Sequence, residues 1–182
     1  MTTHTSLQTA PPLAGSQRAN ALATRLEEGA RALIAFALGL NDDQWKMRVP
    51  HDGRRVGVIV HHVASVYPVE IELAETIAGG TPVVGLTMDD IHAMNATHAA
   101  EHDEVAKEAA IELLRANSVA AAAAIRALSD EELTRAVPVS LYADAPLTSQ
   151  FVLEDHAVRH SYHHLAILRR TVATKDTKST KG

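Results

Sequence analysis

The sequence predicts an all-α four-helix bundle with longer crossover connections, on three observations. Alanine occurs 32 times in 182 residues, while Phe, Trp and Tyr together make up 3%. Alanine is the strongest helix former, and a core of Ala, Leu and Val suits closely packed helices better than a β-sandwich. Long stretches repeat their apolar residues at helical spacing, and glycines and capping residues punctuate them.

The first fifteen residues are rich in Thr and Pro and are expected to be disordered. That leaves one domain over 16–172 and a disordered tail over 173–182. Helix one is expected from about Ser16 to Leu38, with Leu22, Leu26, Ala30, Leu33, Ala37 and Leu38 in one stripe and Gly39 and Asn41 as its stop. The segment NDDQWKMRVPHDGRR reads as a loop around the single Trp. Helix two spans about Val56 to Ala78 and ends at Gly79-Gly80. Pro68 lies inside it, and a kink is expected there because the ring removes a backbone hydrogen bond.

Thr87 and Asp90 form a capping-box start for the third segment. It runs to about Leu128, too long for one ordinary helix, so a break is expected between Asn95 and His102. Its stripe is Leu113, Leu114, Ala121, Ala124 and Leu128. Ser129 to Glu132 marks a turn or short helix, and RAVPVSLYADAPLTS is irregular with a short extended piece. The last helix spans about Ser149 to Thr171. Four such helices joined by one or two longer crossings make a bundle.

Composition excludes several classes of function. A net charge of -5 argues against nucleic acid as a partner. The absence of cysteine excludes disulfides, thiolate metal ligands and a cysteine nucleophile. The opening MTTHTSLQTAPPLAGS has no basic n-region and no apolar h-region, so a signal peptide is not expected. The longest apolar run, Ala32 to Leu40, is about half a membrane span. A cytoplasmic protein with a small-molecule partner, no nucleic acid and no membrane is the expectation; a homodimer is left open.

The unusual count is 11 histidines. In FVLEDHAVRHSYHHLAILRR, His156, His160 and His164 recur every four residues and share a face with Leu153, Ala157, Ile167 and Leu168. His163 falls with Asp155, Arg159 and Arg170 on the charged side. Residues four apart rise about 6 Å along a helix, close enough for two imidazoles to meet one ion, whereas His156 and His164 are about 12 Å apart. A helical pair needs a ligand from elsewhere, and helix two offers His61-His62. His62 shares a face with Ile59, Val66, Val69 and Leu73, and is the inward candidate. The pattern leaves two readings open: hydrogen-bonded core histidines, or a metal that satisfies buried ring nitrogens whose isolation would cost about 1–3 kcal/mol each. His4, His51 and His92 read as surface residues. A rival string, His98-Ala-Ala-Glu101-His102, matches the H-x-x-E-H of inverted zinc peptidases.

The order of these features resembles the DinB-like superfamily of damage-inducible bacterial proteins over roughly residues 18 to 172. It comprises a loop with Gln44-Trp45, a helix with VGVIVHHVA and a late helix with HSYHHLAIL. The family pattern H-x-x-H-H falls on His160, His163 and His164, and the family's helix-two histidine on His62, with His61 the neighbouring register. The resemblance implies a three-histidine metal site at His62, His160 and His164, holding a divalent transition metal, Zn or Ni. It further implies a transferase that uses a low-molecular-weight thiol cosubstrate such as mycothiol or bacillithiol, or an isomerase. The alternatives are non-catalytic metal binding, a stress-linked interaction bundle, and a zinc peptidase through His98, Glu101 and His102. Arg54, Arg55 and Arg159 are candidates for holding a substrate carboxylate.

Overall fold

The computed structural model describes residues 16–179; the disorder expected over 1–15 falls outside the described residues. Helix α1, Gln17–Leu38, begins where the Ser16 hydroxyl accepts the Ala19 N–H. Leu22, Leu26, Ala30, Leu33 and Ala37 are buried as their spacing predicts, while Leu38, counted in the same stripe, is exposed at the helix end. The expected loop after it contains a short helix, α2 (Asp42–Lys46), nucleated by a capping box between Asn41 and Gln44. Trp45 on α2 is buried, and its Nε1–H donates to the Val105 carbonyl at 3.0 Å. Its indole covers Gly57, where a Cβ would lie 2.5 Å from the ring, so only glycine permits this approach.

Helix α3, Val56–Ala78, runs through Pro68 as a single helix. Proline cannot donate to the carbonyl four residues back, that of Ala64, and the Asn117 side-chain amide donates to it instead at 2.9 Å. This replacement bond from a neighbouring helix was invisible in the local sequence. By length and composition α3 could cross a membrane, but most of its apolar window is buried within the protein.

Helix α4, Met88–Glu101, starts at the predicted capping box of Thr87 and Asp90, and none of its residues is buried. The expected break falls slightly later, between α4 and α5 (Lys107–Ala127). A short helix α6, Asp130–Thr134, precedes an antiparallel hairpin of β1 (Ala136–Val139) and β2 (Ala145–Thr148), in register Ala136↔Thr148. Ala143 and Asp144 adopt left-handed backbone between the strands.

The chain then re-enters a helix through α7 (Ser149–Val152) and a π-helical segment, Leu153–Val158, which leads into α8 (Arg159–Ser179). The sequence ended this helix near Thr171. It continues instead to Ser179, so the part of the expected tail from 173 to 179 is helical. Helix α5 packs on both α1 and α3, and α8 with its π segment closes the bundle against the same two helices. The core is mostly Ala, Leu, Val and Ile. Tyr67 is fully buried, and its hydroxyl meets Ser161 Oγ at 2.6 Å, tying α3 to α8.

Candidate metal centre

Two turns of α8 and one of α3 bring three imidazoles together. His62, His160 and His164 each place a ring nitrogen within 4.8 Å of the others. Ring centroids stand 5.1 Å apart for His62 and His160, 5.6 Å for His62 and His164, and 4.9 Å for His160 and His164. His160 Nε2 lies 3.3 Å from His62 Nε2. Two nitrogens at ordinary bond length from one tetrahedral Zn²⁺ stand about 3.3 Å apart. His62 and His164 are buried, and their Nδ1 atoms have no protein partner.

Sequence reasoning missed Glu70. It lies two helical turns after His62 on the same buried face, a carboxylate among apolar positions, and that placement was a readable signal. Glu70 Oε1 is 2.5 Å from His160 Nδ1. A carboxylate there holds the proton on Nδ1 and leaves the Nε2 lone pair directed at His62. Val69, assigned to the His62 face by spacing, is exposed instead and lines a cavity.

Burial disfavours charge on these rings. Desolvation, reinforced by His160 and the Arg54 guanidinium, lowers His62 to a pKa of about 3 and His164 to about 2. Both are neutral near pH 7, the form a metal requires. Arg54 is fixed by Asp52 through two 2.8 Å bonds. The turn that carries this pair relies on left-handed backbone at His51 and Gly53.

The other candidates separate from this trio. His163 is exposed on the far side of α8. His156 lies within the π segment, 2.7 Å from the Tyr142 hydroxyl, which donates to Asp155 at 3.0 Å. His61 turns away from His62 and stacks with His98 and His102, a second group of three whose ring nitrogens also lie within 4.8 Å of one another. Glu101 of the H-x-x-E-H string is exposed and outside that group. Arg55 pairs with Asp103 and Glu104, whereas Arg159 reaches the cavity.

That cavity, about 660 Å³, adjoins the first trio through His160 and Glu70. Leu73, Val83, Leu86, Ile91 and Met94 make its walls largely apolar, and His156 and Arg159 stand at its polar side.

Residues 25–168 match the family model described as the DinB superfamily. None of the curated proteins matches the chain significantly. Among solved structures the chain is similar to YfiT from Bacillus subtilis, described as a probable metal-dependent hydrolase with an unusual four-helix bundle topology. The similarity is 19% in sequence, covers 93% of this chain and 94% of that one, and has a TM-score of 0.72. At that identity it speaks for the shared fold.

Proposed function

The chain belongs to the DinB superfamily, and on that premise we propose a metal-dependent enzyme acting on a small electrophile with a low-molecular-weight thiol as cosubstrate. His62, His160 and His164 hold the divalent ion, Zn or Ni. The single observation that carries this reading is the convergence of three imidazoles beside a largely apolar cavity.

The residues fit the group. The buried Nδ1 atoms of His62 and His164 lack protein partners, and an imidazole-only donor set suits Zn or Ni rather than Ca or Mg. Three neutral ligands leave the ion its full charge and an open position, so when bound it lowers the pKa of a thiol or water at that position. With no cysteine in the chain, a thiol must come from solution. Glu70 holds His160 in the tautomer whose Nε2 can donate its lone pair. Leu73, Val83, Ile91 and Met94 give the substrate an apolar wall, and the less water a bound substrate leaves against it, the stronger the charge interactions at the cavity floor. Arg159 stands where it can hold a substrate carboxylate, partly offset by Asp155. The reading places the enzyme in the cytoplasm.

Hydrolysis is the second reading, favoured by the description of YfiT, with water in place of the thiol. A titration of Co²⁺-loaded protein with mycothiol, bacillithiol and glutathione separates the two. A sulfur-to-cobalt charge-transfer band is expected with at least one thiol, at a pH below the free thiol pKa of about 8.5. An unchanged metal spectrum at millimolar thiol overturns the transferase. Hydrolytic turnover of activated esters or amides by that same protein then favours the second reading.

A further inference from the structure

We propose that His61, His98 and His102 form a second metal-binding site, which pins helix α4 onto α3. His98 and His102 lie one turn apart at the end of α4, and His61 faces them from α3. Ring centroids are 4.0 Å apart for His61 and His102, 4.7 Å for His98 and His102, and 5.1 Å for His61 and His98. His61 Nδ1 lies 2.9 Å from His98 Nε2. Two imidazole nitrogens sharing a tetrahedral ion stand about 3.3 Å apart, so binding widens this contact by only a few tenths of an ångström.

The surroundings favour an ion bound by imidazole alone. Asp103 is engaged by Arg48 and Arg55, and Glu104 by Arg55. The Ser65 hydroxyl lies 3.3 Å from His61 Nδ1 and 3.4 Å from His98 Nε2, but its shortest bond is to the His61 carbonyl, at 2.9 Å. All three histidines are half-buried, open enough for an ion to enter. Such a donor set suits Zn²⁺, Cu²⁺ or Ni²⁺. The site adjoins the first, since His98 and His62 meet edge to face at 5.5 Å, yet shares no ligand with it.

Its consequence follows from the character of α4. A 14-residue helix with no buried residue has little apolar packing to hold it. It nevertheless supplies Met88, Ile91, Met94 and Asn95 to the cavity wall. Two ligands on α4 and one on α3 would join that wall to the bundle and set the shape of the cavity.

The test is equilibrium dialysis of the full chain against Zn²⁺, with hydrogen exchange of the α4 amides followed in parallel. Wild type is expected to hold about one zinc per three-histidine site, hence about two. His98→Gln/His102→Gln should hold about half as much, and so should His160→Gln/His164→Gln. Zinc should slow α4 exchange in wild type and in the His160/His164 variant, but not in the His98/His102 variant. Because α4 carries no core residue, an unchanged far-UV circular dichroism spectrum is expected. Wild-type zinc content in the His98/His102 variant overturns the second site. Lost zinc with no change in α4 exchange overturns the pinning. Wild-type zinc content in the His160/His164 variant counts instead against the first site.

Discussion

At His160 an imidazole is held by a carboxylate 90 positions earlier in the chain, with Glu70 Oε1 2.5 Å from Nδ1. Partners of this kind orient a ligand and raise its basicity, and their loss commonly costs about 10- to 100-fold in metal affinity. Glu70→Gln is therefore expected to weaken Zn²⁺ binding by about that factor in a competition titration. His164→Ala should abolish most of the binding at this trio, whereas His163→Ala, on the exposed side of α8, should leave it nearly intact. Equal losses for the two neighbours would show that the ligand register is wrong. Protonation acts on the same rings. Burial holds His62 near a pKa of about 3 and His164 near about 2, while an unfolded histidine titrates near 6.5. Below pH 6.5 the unfolded chain binds protons that the folded chain refuses, so folding stability falls as pH drops from 6.5 toward 3. Urea melts of chelator-treated protein at pH 7, 5 and 4 check this. A midpoint independent of pH would contradict the burial of those rings.

Among the elements, α3 holds an unusual arrangement around Pro68. The proline withholds one N–H from the Ala64 carbonyl, and Asn117 on α5 replaces it. Ala64 is fully buried, and a buried carbonyl left without a partner costs about 1–3 kcal/mol. Asn117→Ala is expected to destabilise the fold by about that amount in urea denaturation. Pro68→Ala restores a backbone donor four residues on, so in that background Asn117→Ala should cost distinctly less. Equal costs in both backgrounds would sink the explanation. The proline frees one carbonyl of α3, and a neighbouring helix satisfies it. Likewise the loop expected around Trp45 holds a helix, because a capping box needs only four residues and carries almost no periodic signal.

Across the whole molecule the first trio joins α3 to α8, elements that the chain connects through α4, α5, α6, the hairpin, α7 and the π segment. An ion bound there favours the folded state by mass action, by about 2.7 kcal/mol at a free concentration 100 times Kd. Zn²⁺ is thus expected to raise the Tm of wild type by several degrees at pH 7.5, and to raise it less in His160→Ala/His164→Ala, which keeps only the second trio. The same shift in both proteins would remove the trio as the source. The long helices, their inward faces and the one-turn spacing of His160 and His164 were all legible in the sequence. These features are local: a helix repeats every 3.6 residues, and its apolar stripe and stops lie within the segment itself. His62 was legible as an inward residue, and the family resemblance singled it out. Glu70 behind His160, the gathering of His61, His98 and His102, and the bond from Asn117 to Ala64 were settled only by how the helices pack. Each brings together residues of different helices at least 37 positions apart, and no periodicity within one helix encodes which turn of another helix will stand opposite it.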